Sequence, residues 1–121
     1  MDIKIRSANA NDAKAIAGLL SELGYPQDQT FVKKKLLEIN YDVIVAETEG
    51  IVAGVIAFDS QPLFHEDGSL GSIMALAVTE RYRSLGIGKN LVAHIEQLAR
   101  AKGCTKIAVA SGMRRERSAR R

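Results

Sequence analysis

Residues 83–89 read Arg83-Ser84-Leu85-Gly86-Ile87-Gly88-Lys89, and they separate a hydrophobic strand pattern from an amphipathic helix pattern. Two glycines one residue apart let the backbone curl so that several N–H groups point into one hollow. Because a helix begins there, its unpaired N–H groups and its dipole favour an anion. Arg83 and Lys89 add positive charge at the two ends. The stretch therefore predicts a phosphate-binding loop suited to a pyrophosphate, and the alternative is a glycine-rich turn without a ligand.

The segments on both sides of this loop predict a βαβ unit. Before it, residues 72–78 are apolar on both faces, which is typical of a central strand. After it, apolar residues recur at helical spacing up to Lys102, and residues 106–110 predict a fifth strand. A strand, a helix and a strand in this order give two parallel strands joined by a right-handed crossover.

Upstream of the loop, the sequence predicts two helices. Asn9 and Asp12 have the spacing of a capping box at the start of the first helix, and Gly24 ends it. Asp28 opens a second, shorter helix.

The remaining upstream segments predict three strands, at residues 3–8, 43–47 and 51–58. The second and third form a hairpin that turns at Glu49-Gly50. Gly54, inside the third strand, indicates a bulge or the close approach of another backbone. Residues 59–69 are expected to form a polar loop.

The element order β-α-α-β-β-β-α-β predicts an α/β fold with a mixed sheet covered by helices. The 121 residues are expected to form a single domain, 1–121, that ends in an Arg-rich tail, 114–121. This tail holds five Arg and one Glu, a net +4 against the formal total of +3, so the rest of the chain carries −1. Basic residues are not spread over a face with aromatic residues among them, so nucleic-acid binding is not expected.

Composition also argues against membrane and metal sites. No apolar run approaches the ~18 residues that a membrane-spanning helix needs, and the first residues lack the apolar core of a signal peptide. The sequence thus predicts a cytoplasmic protein. Cys104 has no partner for an internal disulfide, and His65 and His94 lack ligand spacing, so no metal is expected.

Three kinds of glycine-rich loop compete for the phosphate ligand. A mononucleotide P-loop needs a glycine where Arg83 stands and a hydroxyl residue where Asn90 stands. A Rossmann loop needs a third glycine where Leu91 stands, and an acidic residue after the next strand, which ends in Ala110-Ser111. The third pattern, Arg/Gln-x-x-Gly-x-Gly/Ala after a central strand, fits.

The passage Ile73-Met74-Ala75-Leu76-Ala77-Val78, followed by Tyr82-Arg83-Ser84-Leu85-Gly86-Ile87-Gly88 and Leu91-Val92, resembles the acetyl-CoA-binding core of the GNAT N-acetyltransferase superfamily. The resemblance also covers the first strand and helix, up to Leu23-Gly24-Tyr25-Pro26, and the region of the fifth strand. It therefore extends over nearly the whole chain.

The resemblance implies acetyl-CoA as cosubstrate and direct attack by a primary amine of a small molecule in a ternary complex. The backbone of Leu76 and Val78 would bind the pantetheine arm between strands four and five, which splay apart in the family. An N–H near Leu76 or Ala77 would polarise the thioester carbonyl. The amides of residues 83–89 would hold the pyrophosphate.

One departure from the family concerns the general base. Many members carry a glutamate on strand four, but residues 72–78 contain no acid. His65 on the preceding loop is the candidate catalytic residue, with Glu66 and Asp67 beside it, because its ordinary pKa suits proton transfer near neutrality. The alternative for His65 is a solvated loop residue.

The other departure concerns the C-terminal region, where relatives have a helix with an acid-donating tyrosine and a further hairpin. The sequence ends at Arg121 without either, so we expect an open edge on strand five and weak turnover. We expect the chain either to form a homodimer through that edge or to be unstable alone. A non-catalytic acyl-CoA-binding remnant is the alternative function.

The amine acceptor is expected to bind between residues 23–31 and the 59–69 loop. Both segments carry acids, which would suit a cationic amine.

Overall fold

The computed structural model describes residues 2–109. Its helices and strands are β1 Lys4–Ser7, α1 Ala13–Leu23, α2 Gln29–Glu38, β2 Asp42–Thr48, β3 Ile51–Pro62, β4 Ser69–Val78, α3 Ile87–Ala101 and β5 Cys104–Val109. Short 3-10 turns precede α1 and α3, at Ala10–Asp12 and Glu80–Tyr82. The predicted element order is confirmed. The Arg-rich tail at 114–121 lies outside the described residues.

The five strands form one sheet in the order β1-β2-β3-β4-β5. Neighbours are antiparallel except for β4 and β5, which are parallel and joined through α3. This arrangement confirms the α/β fold with a mixed sheet and the βαβ unit. The ends of β4 therefore lie at opposite ends of the sheet, about 30 Å apart for a strand of this length.

Helices cover both faces of the central strand β3. Four consecutive residues of β3, Ala53–Ile56, are buried, although neighbouring side chains of a strand point to opposite faces. Helices α1 and α3 both contact β3 and β4. The core is thus a sheet between helices, and α3 supplies its apolar stripe, Ile87, Leu91, Ile95 and Ala99.

Gly54 on β3 explains how closely α3 packs. A Cβ at Gly54 would lie 3.0 Å from Ile87 Cγ2 and 3.0 Å from Leu91 Cδ1. The register also shifts beside it, where Ala46 pairs with Gly54 but Glu47 pairs with Val52. The predicted bulge at this glycine is confirmed, and the groups that approach it most closely are side chains at the start of α3 rather than another backbone.

The expectation of a polar loop at 59–69 is wrong. Residues 59–62 extend β3 and pair with the start of β4 from Ser69, so only residues 63–68 connect the strands. The composition of this segment is typical of a loop, but the antiparallel partner satisfies its backbone N–H and C=O groups. Gly71 makes room there, because a Cβ would lie 2.6 Å from Cζ of the buried Phe58.

The predicted capping box is confirmed at the 3-10 turn Ala10–Asp12 that leads into α1, and its Asp12 also forms an ion pair that the sequence did not indicate. Asn9 Oδ1 accepts from Asn11 N at 2.8 Å, and Asp12 Oδ2 accepts from Asn9 N at 2.8 Å. Arg6 on β1 donates to both carboxylate oxygens of Asp12 at 2.9 Å and to Glu47 on β2 at 3.0 Å. The hydrogen bond from Arg6 lowers the pKa of the buried Asp12 carboxyl, although burial opposes the shift.

Replacing Asp12 by Asn should lower the free energy of unfolding at pH 7 by about 2 kcal/mol, because charge-assisted hydrogen bonds are lost in a buried position. The control is Asp42→Asn, which removes an exposed ion pair with Lys102 at 3.5 Å and should change little. Urea unfolding followed by circular dichroism measures both.

The ion pair of Arg6 with Asp12 predicts that the stability of the fold depends on pH. Because the fold lowers the pKa of Asp12 below its ordinary 3.8, the ion pair stabilises the fold fully above that value. Its contribution disappears as pH falls through the lowered pKa. The difference between wild type and Asp12→Asn should therefore be constant from pH 7 to about 5 and shrink below pH 3.8. A difference that persists unchanged to the lowest pH would contradict this assignment.

Candidate functional site

The connection from β4 to α3 contains two backbone positions in the left-handed region. Gly86, which precedes α3, has a φ of 87°, as its position before the helix requires. Ser84 has a φ of 70°, which is unfavourable for a residue with a Cβ. Non-glycine residues in this region concentrate at binding and catalytic sites. The sequence did not identify Ser84 as strained.

The first turn of α3 leaves donors unpaired. Asn90 N donates to Gly86 O at 2.9 Å, and the Asn90 side chain donates to the same oxygen at 2.9 Å. The N–H groups of Ile87, Gly88 and Lys89 make no hydrogen bond to another group in residues 2–109. The first turn also contains no acidic residue. These properties make the helix N-terminus suitable for an anion.

Two exposed cationic residues flank the helix N-terminus. Arg83 Nε donates to Val78 O at 3.1 Å, so the guanidinium is held at the end of β4. The other two guanidinium nitrogens make no hydrogen bond within the described part of the chain. Lys89 is exposed in the first turn of α3. The predicted phosphate-site residues 83–89 thus lie together as one loop with basic ends.

The turn Glu80–Tyr82 attaches the loop to the rest of the fold. Thr79 N donates to Ala53 O at 2.8 Å, and the buried Tyr82 donates its hydroxyl to Glu49 at 2.9 Å. Arg81 lies over the Tyr82 ring, 5.3 Å from its centroid. The hydrogen bond to Glu49 raises the pKa of Tyr82, and burial adds to the shift.

On the opposite side of the turn, the Glu22 carboxylate of α1 accepts from Thr79 Oγ1 and Glu80 N. Sequence reasoning missed Tyr82, Glu49 and Glu22, because these contacts join residues 33 to 58 positions apart. The only signal in the sequence was an aromatic residue just before the glycine loop.

The strand residues predicted to bind the pantetheine arm lie at the end of β4 that leads into this turn. Leu76, Ala77 and Val78 pair with β3 on one side. On the other side, β5 pairs with β4 from Ser69 to Ile73, where Val109 is the last described residue. The predicted separation of β4 and β5 beyond this point falls on residues outside the described range, so it stays a prediction.

His65 does not lie with the other predicted site residues. It is on the 63–68 connection, at the opposite end of β4 from the glycine loop, about 30 Å along the strand. Its side chain is 66% exposed, and its Nε2 lies 3.1 Å from Glu66 Oε1. The catalytic role of His65 stays a prediction, and this position does not support it.

The two segments expected to line the acceptor site are also separated. The 63–68 connection lies with His65, whereas the segment after α1 follows directly on Glu22 and so lies near the glycine loop. That segment exposes Tyr25 by 42% and Phe31 by 38%. Asp28 caps α2 by accepting from Phe31 N at 2.8 Å.

A cleft of about 330 Å³ lies between the C-terminal half of α2 and the adjoining ends of β1 and β2. None of the predicted site residues lines it. Within residues 2–109, no group of three or more His, Cys, Asp or Glu side chains could hold a metal ion. In the same range, no helix has the length and apolar character to cross a membrane.

Comparison with known proteins gives one family. The model of the acetyltransferase (GNAT) family matches residues 14–120. A search of curated proteins finds no significant match.

Solved structures share the fold. A GNAT family acetyltransferase of Staphylococcus aureus has 24% identity and a TM-score of 0.82, and the match covers 92% of this chain and 87% of that one. Glucosamine-6-phosphate N-acetyltransferase of Arabidopsis thaliana has 23% identity and a TM-score of 0.81, over 90% and 82%. An aminoglycoside acetyltransferase from an uncultured soil metagenomic sample, in complex with sisomicin, has 25% identity and a TM-score of 0.70, over 90% and 77%.

The two glycines of the loop should respond differently to alanine. Gly86→Ala should lower the free energy of unfolding by about 1 kcal/mol, because Ala resists a left-handed φ. Space is not limiting, since the nearest atom to the added Cβ would be Asn90 Nδ2 at 3.9 Å.

The matched control is Gly88→Ala, whose Cβ would make an ordinary contact of 3.6 Å with Val78 Cγ2. It should be neutral or stabilising, because Ala favours helix. Denaturant unfolding separates the two variants, and equal effects would mean that Gly86 does not carry the conformational strain.

Proposed function

Because the chain belongs to the acetyltransferase (GNAT) family, we propose that it transfers the acetyl group of acetyl-CoA to a primary amine of a small molecule. The observation that carries the proposal is the N-terminus of α3, near the end of β4, where the N–H groups of Ile87, Gly88 and Lys89 make no hydrogen bond among the described residues. Family membership supports an N-acyltransferase, and this donor set suits the diphosphate of a coenzyme.

The residues present fit acetyl-CoA. The amides of residues 84–89 would hold the diphosphate, whereas the Arg83 N–H donates to Glu80 O at 3.2 Å; the side chains of Arg83 and Lys89 would balance its charge. The backbone of Leu76 and Val78 would bind the pantetheine arm along the outer side of β4. Acetyl-CoA supplies an activated acetyl group as a thioester. The protein's own contribution is to orient the amine for attack and to donate an N–H near Leu76 or Ala77 to the carbonyl oxygen.

Proton transfer in the proposed reaction needs a group outside β4. The strand contains no Asp, Glu or His from Ser69 to Val78. An amine that arrives protonated must lose a proton before it attacks, and the departing thiolate must gain one. Water in the open site, or a carboxylate of the segment after α1, would serve the first role.

A cationic small molecule is the acceptor that the surroundings favour. Asp28 lies on the segment that follows α1, and Glu80 lies on the turn before the glycine loop, so a positively charged amine would be attracted to this side. The metagenomic aminoglycoside acetyltransferase in complex with sisomicin supports this class, because aminoglycosides are polyamines.

Purified protein should release CoA from acetyl-CoA only when an amine is present, and mass spectrometry should detect the acetylated amine. A panel of polyamines, aminoglycosides and amino sugars tests the acceptor class, with hydrolysis measured without amine. Lys89→Ala should raise KM for acetyl-CoA about fivefold, because a phosphate contact is lost. Lys34→Ala on α2 is the control, since α2 contacts α1 rather than the loop.

The outcomes separate the two candidate functions. Tight binding of acetyl-CoA without transfer to any amine would favour the acyl-CoA-binding alternative, which the lack of an acid on β4 supports. Failure to bind acetyl-CoA would contradict both functions.

We also propose homodimerisation through β5. The support is that β5 is an outer strand of the sheet that residues 2–109 form and that Ile107 on it is 46% exposed. Unpaired strand edges favour association with another strand. Sedimentation velocity at micromolar concentration should show a dimer, which Ile107→Lys should weaken. A monomer at all concentrations would contradict this proposal.

A further inference from the structure

The carboxylate of Glu22 on α1 accepts hydrogen bonds from the turn that follows β4. Glu22 is the penultimate residue of α1. Its Oε2 accepts from Thr79 Oγ1 at 2.9 Å, and its Oε1 accepts from Glu80 N at 2.8 Å. Both oxygens are therefore used on the turn that follows β4, 57 and 58 residues further along the chain.

Glu22 performs the capping function that Thr79 does not. Thr79 precedes the turn Glu80–Tyr82, yet its hydroxyl makes no capping hydrogen bond. A Thr in this position usually accepts from the backbone of the turn itself. Here the hydroxyl donates to Glu22, and Glu22 takes the free N–H of Glu80. The turn is thus held by α1, which also leads into the proposed acceptor segment.

Glu49 holds the same turn from another direction. Glu49 and Gly50 form the two-residue turn between β2 and β3, with φ values of 52° and 75°. Asn, Asp or Gly would suit the first of these positions better than Glu. The Glu49 carboxylate, however, accepts from the Tyr82 hydroxyl at 2.9 Å, a contact that Gly could not make. The strain at Glu49 is thus offset by this contact.

We infer that Glu22 and Glu49 are positioning residues that fix the turn Glu80–Tyr82, and with it the amides at the start of α3, for the diphosphate of the coenzyme. The inference rests on the proposed function. Amides that are already oriented bind an anion without a further ordering cost. Neither carboxylate needs to touch the coenzyme, because each acts through the turn.

A purely electrostatic role and a positioning role of Glu22 predict opposite effects of Glu22→Ala on the affinity for CoA. Removing a negative charge near an anion-binding loop would by itself strengthen the binding of CoA. Loss of positioning should instead weaken it. We expect Glu22→Ala to raise the Kd for CoA about tenfold, with kcat at saturating acetyl-CoA changed less than about twofold, because the loop reaches the same geometry once occupied.

Glu96→Ala is the matched control for the charge. Glu96 is exposed on α3 and makes no hydrogen bond or ion pair among the described residues. Its removal should leave the Kd unchanged or lower it slightly. Glu22→Gln, which keeps one acceptor oxygen, should recover part of the affinity. Tyr82→Phe changes no charge and should raise the Kd by loosening the contact with Glu49.

Isothermal titration calorimetry with CoA measures these Kd values. Amide hydrogen exchange of Glu80 and Tyr82 supplies a second readout, because release of the turn should speed their exchange. If wild type binds CoA and Glu22→Ala binds it equally well or better, the positioning inference is wrong and the proposed function stands. If wild type binds no CoA, the proposed function is wrong and the inference falls with it.

Thermal unfolding of the Glu22 variants tests whether a loss of CoA affinity only reflects a loss of folded protein. Glu22 is exposed, so Glu22→Ala should fold like wild type. If both Glu22 variants lose kcat and CoA affinity in proportion to lost folded protein, Glu22 is structural and the inference is overturned.

Discussion

The close packing of α3 on β3 at Gly54 is the constraint on which the site depends. Because Gly54 has no side chain, Ile87 and Leu91 at the start of α3 come within contact distance of the central strand. Ile87 is also the first residue of the helix, so this contact fixes where the unpaired N–H groups lie. A larger residue at Gly54 would push the helix start away from β4, and the loop would lose its place beside the strand that is proposed to bind the pantetheine arm.

Around this contact, charged side chains divide into two roles. The basic residues Arg83 and Lys89 are exposed at the loop and are available to a phosphate. The acids Glu22 and Glu49 face the neighbouring turn and hold it through hydrogen bonds. An acid that pointed into the loop would repel an anion, whereas an acid that binds the turn from outside helps to orient the amides. The basic side chains at the loop and the acidic side chains that hold the turn therefore contribute to the same site.

Local patterns and long-range contacts differed in how well the sequence indicated them. The capping box of Asn9 and Asp12 was predicted because both partners lie within four residues, but the contact of Arg6 with Glu47, 41 residues away, required the sheet to pair β1 with β2. Residues 59–62 were expected to be a loop because their composition is polar. They form a strand because β4 offers them an antiparallel partner, which composition does not reveal. His65 was chosen for its chemistry and its nearness in sequence to β4, yet a strand of ten residues separates it from the glycine loop.

Local sequence indicated the element order, the βαβ unit and the glycine loop with its basic ends, because each depends on residues that are neighbours along the chain. It also determined the position of Gly86, since a left-handed residue before a helix favours glycine. The assembled fold was needed to show which side chains hold that loop, because Glu22, Glu49 and Tyr82 come from separate elements. They meet only when α1, the β2–β3 turn and β4 come together. Hydrogen bonds between distant residues leave no periodic pattern in a single sequence, so the positioning of the site had to come from the fold.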